Sequence, residues 1–499
     1  MHSFNVAFEP WIPVRVGENL ELYSLEQTLL QAQDIERLED ASPLVTVALH
    51  RFLLAVLHRA FDGPESVGES AEWLETGAFP PEVVRAYLNT WKERFDLFDP
   101  YRPFYQTADF ISKAKSVAQL AAELASGTNK LLFDHTHEDE PPGLSPAEAT
   151  RLLLARQMLA IPEGAGYSPS PIGGTAVVVP QGASLLETLC LNLVPYISDP
   201  DDKPVWEAET LKPDAEQPIL GLTHRYTWMS RFVRLEPDSG AEGTEVRLLH
   251  YGPACKLKEG TVFNPDPMLA YRVIDEKTGE RRAVNFRRDR ALWRDFTALL
   301  PKTGNLAPGV VNHAFRLLDE LGRRQVLPTM VFGATNDKAK FEFWRIEHYA
   351  LPEAISADRT DDVYALLKDA LELAEVMGKN LNAAAYTLAR KLLSHGERDP
   401  DPNDVKRMVN GFPTAAAYWG ELNRTFPGLL KRLTADFKPK EVQHFWTEEL
   451  LRVSDRAWSL TRNAAGDDAY ALRALYSAER GLMGARKRLR EELEPQEAA

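Results

Sequence analysis

Near residue 357 the hydrophobic pattern of this chain changes period. Beyond it Val363, Leu366, Leu367, Ala370, Leu373, Ala374, Met377 and Leu381 recur at the i, i+3, i+4, i+7 spacing of one buried helical face. Asp399-Pro400-Asp401-Pro402 breaks that helix, and Asn403 can cap a second helical region, interrupted by Gly411, Pro413 and Pro427. Lys438-Pro439-Lys440 opens a third, with Val442, Phe445, Trp446, Leu450, Val453 and Ala457 on one face. After Gly466 a fourth carries Leu472, Leu475, Tyr476, Leu482 and Met483, with Glu479 on the same stripe. Four amphipathic helices with short connections predict a four-helix bundle.

Ahead of the change, strand and helix signals mix without a regular βαβ alternation. Trp11 to Val16 reads as an edge strand, because Pro13 has no N–H for a central ladder. Ser24-Leu25-Glu26-Gln27 and Ser184-Leu185-Leu186-Glu187 have capping-box form, and Ser42-Pro43 opens a longer helix through Leu44, Leu53, Leu54 and Leu57. Ala176 to Val179 reads as a strand, and Met268 to Ile274 pairs with Arg281 to Phe286 as a hairpin. The expected fold class is α+β: a large mixed domain over residues 1–356 and the bundle over 357–499. A length of 499 residues agrees, since one core stops growing at roughly 250–300.

Charge narrows the function. With 58 Lys plus Arg against 73 Asp plus Glu, the chain carries a formal −15, which excludes a surface that coats polyanions generally. The longest apolar runs fall short of the ~20 residues of a membrane span, so a soluble protein is expected. Cys190 and Cys255 form no C-x-x-C pair, Met1 to Asn5 opens no signal-peptide pattern, and no lipidation motif follows Glu494; the cytoplasm is the expected location.

Motifs for catalysis are missing. No P-loop, H-E-x-x-H or G-x-S-x-G occurs, and Gly164-Ala165-Gly166 lacks the third glycine of a dinucleotide fingerprint. His135-Thr136-His137-Glu138 has metal-ligand chemistry, so a metal-dependent nuclease or hydrolase stands as an alternative. Pro141-Pro142-Gly143 follows at once, however, which favours a solvated loop. No cofactor and no metal are expected, and the chain is read as a non-enzyme.

Basic residues cluster against the overall sign. Between Ala270 and Lys302 nine basic side chains face five acidic ones. Arg473, Arg480 and Lys487 recur every seven residues along the fourth helix, and Arg488 and Arg490 extend the run. The first reading of that face is a track for a phosphate backbone. The other is a solvated face, or arginine stems covering the bundle edge, which would also suit a purely architectural subunit.

Several segments in one order resemble the CasA family, the large subunit of the type I-E CRISPR surveillance complex Cascade. They are Trp11-Ile12-Pro13-Val14-Arg15, Arg102-Pro103-Phe104-Tyr105-Gln106, Gly127-Thr128-Asn129, Gly173-Gly174-Thr175, Leu191-Asn192-Leu193, His444-Phe445, Glu449-Leu450-Leu451 and Leu489-Arg490-Glu491. The resemblance implies a non-catalytic DNA-recognition subunit in antiviral defence. It would sense the protospacer-adjacent motif (PAM) in duplex DNA, help open the duplex, and support recruitment of a helicase-nuclease. Its implied partners are the other Cascade subunits, the CRISPR RNA 5′ handle and PAM-bearing target DNA.

The resemblance also assigns residues. Gly164, Ala165, Gly166 and Tyr167 match the glycine loop that approaches the minor groove, where A·T and T·A look alike and tolerance of several PAMs is expected. Lys256 and Lys258 both stand near the position of the family's lysine finger. Asn336, Asp337 and Lys338 fall at the hairpin tip that wedges the duplex, with Lys338 where glutamine is expected. Asn129, Lys130 and Phe133 match the loop that docks on the RNA handle and a neighbouring subunit. Arg473, Arg480, Lys487, Arg488 and Arg490 match the path of the displaced strand.

Overall fold

The computed structural model describes residues 2–121, 143–161, 166–197, 199–209, 216–241, 243–254, 256–258, 265–275, 277–278, 280–301, 307–337, 340–394 and 399–493, with side chains except at 336, 337, 340–342, 492 and 493. These residues form two compact units: 1–290 with 298–349, and 291–297 with 350–499.

The first unit opens with β1 (Ile12–Val16), β2 (Asn19–Tyr23) and, after the short helix α1 (Leu25–Leu30), β3 (Arg37–Leu38). Both halves of the Ser24/Gln27 capping box form at the start of α1. The sheet order is β2-β1-β3, so β1 is central and not an edge strand. Pro13 is tolerated because β3 pairs only with Val14 and Arg15, while the Pro13 carbonyl still accepts the Glu39 N–H.

Pro43 then starts α2 (Pro43–Phe61), the core helix of this unit. It is long and apolar enough by composition to cross a membrane, yet every residue from Pro43 to His58 is buried within the protein. Phe52 meets Trp11, Phe104 and Trp206 edge-on with ring centroids 5.4–5.8 Å apart. Arg51 reaches Asp266 through a bidentate ion pair at 2.9 and 3.2 Å.

Further along come β4 (Lys115–Ser116), α3 (Pro146–Met158), β5 (Val177–Pro180), α4 (Leu185–Asn192), β6 (Glu216–Gln217), β7 (Arg231–Gly240), β8 (Gly243–Pro253), β9 (Lys256–Leu257), β10 (Tyr271–Asp275), β11 (Glu280–Ala283), β12 (Leu327–Asp337) and β13 (Lys340–Leu351). They assemble as the small sheets β4-β8-β7, β13-β12-β5, β6-β9 and β10-β11. β5 is buried at all four residues, which explains its unbroken Val177-Val178-Val179 run. The β10–β11 hairpin is shorter than the sequence pattern, because Leu269 and Asn285 make isolated bridges outside it.

The main helices of the second unit are α5 (Thr360–Ser394), α6 (Pro402–Gly411), α7 (Thr414–Leu430), α8 (Pro439–Ala465) and α9 (Ala469–Leu493). Four long helices pack as the expected bundle, and the short α6 is an addition, capped by the Asp401 side chain with Pro402 in its first turn. The unit also takes in residues 291–297, which the sequence division at 356/357 left in the first part. Trp293 supplies the reason. Its ring stacks on Phe426 at 4.9 Å and meets Trp446 edge-on at 6.3 Å, while its indole N–H donates to Asn423.

On α9 the buried positions are Ala471, Ala474, Leu475, Ala478, Leu482, Ala485 and Leu489. Leu475 and Leu482 match the expected stripe, but Leu472, Tyr476 and Met483 point to solvent. Small alanines carry much of the contact face, and a pattern weighted by large apolar side chains is drawn about a quarter of a turn off it.

Candidate nucleic-acid interface

The glycine loop is anchored by a buried arginine. α3 ends at Met158, Ala160 and Ile161 follow, and the chain resumes its described course at Gly166 and Tyr167; Gly164 and Ala165 lie outside the described residues. Gly166 has φ +85°, a left-handed conformation that costs a residue with a Cβ. Arg231, the first residue of β7, donates Nη2 to the Ile161 carbonyl at 2.6 Å and Nη1 to the Ser168 carbonyl at 2.8 Å. One guanidinium thus holds both stems of the loop. Its Nε donates to the Tyr251 hydroxyl at 3.0 Å, which also accepts from Arg156 Nε at 2.8 Å. Tyr167 stacks on Tyr251 with ring planes 15° apart, and Lys115 Nζ sits 5.2 Å from the Tyr251 ring centroid. The Gln157 amide completes the joint, exchanging two hydrogen bonds of 2.8 Å with the Arg231 backbone. Buried cations need such oxygen partners and ring faces, since an uncompensated one is costly.

The same corner lies beside the start of the lysine segment. A Cβ on Gly166 would come within 4.0 Å of Pro253, three residues before Lys256. Lys256 is half-buried in β9, paired in parallel with Glu216, whereas Lys258 is exposed and its N–H donates to the Gln217 carbonyl.

Asn336 and Asp337 are the last residues of β12, next to the hairpin tip; Lys338 lies outside the described residues. The hairpin is seated at Gly333, where a Cβ would stand 2.0 Å from the Phe286 ring. Arg345 of β13 covers the same ring at 5.0 Å and donates to the Arg290 carbonyl at 2.8 Å. Gly333→Ala is therefore expected to lower the urea midpoint by the equivalent of about 1–3 kcal/mol through overpacking. Phe286→Leu in the same chain should restore part of that loss, and an unshifted midpoint in the single variant would contradict the seating.

Arg473, Arg480, Lys487, Arg488 and Arg490 are all exposed on α9. Their neighbour Arg486 is different: it is half-buried, donates to the Ser454 carbonyl at 2.9 Å and pairs with Asp455 at 3.0 Å. In the other basic segment, Arg294 belongs to the helical unit, where it pairs with Glu375 and lies 3.5 Å over the Trp419 ring.

Asn129, Lys130 and Phe133, and with them His135, His137 and Glu138, lie outside the described residues. Among the described residues no group of three His, Cys, Asp or Glu side chains could hold a metal. Cys190 is buried, and burial pushes its thiol far above the usual range, away from a reactive thiolate. The Arg102 to Gln106 segment is architectural: Phe104 packs in the core, and Gln106 donates to the Leu97 carbonyl while accepting from the Leu235 N–H.

The family model for the CRISPR-associated protein Cse1 matches residues 5–457. The CRISPR-associated protein CasA/Cse1 of Thermus thermophilus is 36% identical over 502 aligned positions, covering 96% of each chain. These matches place the chain among the CRISPR-associated proteins. A crystal structure of CasA from Thermus thermophilus superposes with a TM-score of 0.85 at 34% identity, over 98% of this chain and 100% of that one. A chain from a structure described as a CRISPR RNA-guided surveillance complex shares the fold, with a TM-score of 0.78 at 22% identity over 96% and 99% of the two chains. The chain belongs to the Cse1 family, in agreement with the resemblance read from its segments.

Proposed function

We propose that the protein is the non-catalytic DNA-recognition subunit of a type I-E, RNA-guided surveillance complex, where it senses the PAM in duplex DNA and helps open the duplex. The observation that carries this reading is the corner where Arg231 ties the two stems of the glycine loop beside the approach to Lys256. A backbone loop held rigidly near a lysine can enter a minor groove, whose shape and degenerate edge pattern suit such contacts. Gly166 and Tyr167 with Gly164 and Ala165 would approach the groove, and Lys256 or Lys258 would serve as the finger. Asn336, Asp337 and Lys338 would wedge the first base pairs, with Lys338 adding a phosphate contact where the family has an amide.

In this reading Asn129, Lys130 and Phe133 dock on the RNA handle and a neighbouring subunit, and α9 guides the displaced strand before a helicase-nuclease is recruited. A solved relative described as a CRISPR RNA-guided surveillance complex supports the assembly. The guide RNA would read the remaining target by base pairing, as in other RNA-guided effectors.

The test compares binding of the assembled complex to duplexes with and without a functional PAM. Gly166→Val, Lys256→Ala and Lys258→Ala are made separately. Gly166→Val and one of the lysine variants are expected to reduce discrimination by about 5- to 150-fold, the worth of a lost base-pair readout. Binding to a target already unpaired beside the PAM should be retained. Unchanged discrimination in all three variants would overturn the residue assignment.

A further inference from the structure

The outer face of α9 carries large apolar side chains that no described residue covers. Leu472, Tyr476 and Met483 are 51%, 69% and 58% exposed. Spacings of four and seven residues keep them on one face of the helix. Arg473 precedes Tyr476 by three residues and Arg480 follows it by four, so both cations are its direct surface neighbours. Neither makes an ion pair among the described side chains, and Lys487, one more heptad along, has only the loose contact to Glu491 at 3.6 Å. The interleaved carboxylate, Glu479, is drawn aside: it accepts from the Trp458 indole at 2.9 Å and stands 3.6 Å from Arg462.

The spacing and chemistry select a partner. At a rise of ~1.5 Å per residue, Arg473, Arg480 and Lys487 recur about every 10.5 Å, close to three nucleotides stacked at ~3.4 Å. The occupant must present anionic groups at regular intervals and, between them, flat apolar faces. Duplex DNA offers the first and hides the second. Single-stranded DNA offers both, through phosphates and exposed bases. We propose that α9 carries a single-strand binding strip in which Tyr476 stacks on a base while Arg473 and Arg480 take the flanking phosphates. Leu472 and Met483 extend the apolar surface to either side. The inference rests on the reading of α9 as the displaced-strand path and adds the residue that holds the bases.

Fluorescence anisotropy of the full-length chain with a labelled oligothymidine, across a salt series, tests it. Tyr476→Ala is expected to weaken binding roughly 5- to 150-fold, the range of a lost base stack, with the salt slope unchanged. Tyr476→Phe should bind like the parent, and Tyr476→Leu like the alanine variant. Lys487→Glu with Arg488→Glu should weaken binding and flatten the salt slope. In the assembled complex on its target, permanganate reactivity of displaced-strand thymines should rise in Tyr476→Ala, which keeps the test decisive if the free chain binds below the assay range. If Tyr476→Ala matches the parent in both assays while the charge reversal weakens binding, the stacking strip is wrong and the strand path stands. If neither variant changes anything, the strand path itself is wrong. Full function of Tyr476→Leu would mark a contact for an apolar protein surface and also overturn the proposal.

Discussion

Asp266→Ala is expected to cost about 3–5 kcal/mol, enough to remove a large part of a domain's net stability. Both Asp266 and its partner Arg51 are 1% exposed, and the guanidinium also lies 4.4 Å over the Tyr226 ring. Burial alone would raise the carboxyl, but the Arg51 charge and its hydrogen bonds hold Asp266 below the usual range, so the pair is ionised. Truncation leaves Arg51 charged in the middle of α2 with nowhere to go. Asp266 also accepts the Met268 N–H at 2.9 Å and so fixes the chain between the lysine segment and β10. Urea unfolding should show a lower midpoint in Asp266→Ala, with the double change Arg51→Met and Asp266→Leu recovering much of the loss. A single variant as stable as the parent would mean that the pair is not isolated from water.

Acidification should have an effect of similar size. His50, His58 and His313 are buried, and burial lowers each to about 4, against ~6.5 in an unfolded chain. One ring nitrogen of each meets a carbonyl, of Thr46, Gly63 and Cys190 respectively, as a neutral imidazole's N–H does. The other nitrogen of His58 and of His313 is buried without a partner among the described residues, so a second proton would have no acceptor there. Because the folded values are lowered, the stabilisation is complete above pH ~6.5 and is lost as pH falls towards 4. By pH 5 the loss is about 2 kcal/mol for each histidine and about 6 kcal/mol for the three. Urea midpoints at pH 7 and pH 5 measure it directly. A flat profile over that interval would show that the rings titrate as if exposed.

What was legible in the sequence depended on how local its cause is. Ser24 and Gln27 lie within one turn of each other, and both halves of their box form as expected. Ser184 caps α4 likewise, but Glu187 turns its carboxylate to the Ala183 N–H and Arg323, so only half of that box forms. The long buried faces of α5 and α8 follow from periodicity, because large apolar side chains carry those contacts. α9 misled for the opposite reason, its inner face being rich in alanine. Pro13 misled because a donor's absence matters only where a neighbour extends past it, and β3 does not. Arg231 gave no sign at all: its partners Ile161, Ser168 and Tyr251 are brought together only by the fold. The glycine loop and the lysine segment could be located through family resemblance, while the joint between them required the tertiary contacts.

The placement of Trp293 has a consequence for how the chain is made. Its aromatic neighbours among the described residues of the helical unit are Trp419, Phe426 and Trp446, so 153 further residues must leave the ribosome before its pocket is complete. At ~5–20 residues per second that interval is about 8–30 s. Throughout it the nascent protein carries an unsheltered apolar segment after most of its first unit has already emerged. Yield of soluble protein should therefore depend on elongation rate and on holdase chaperones.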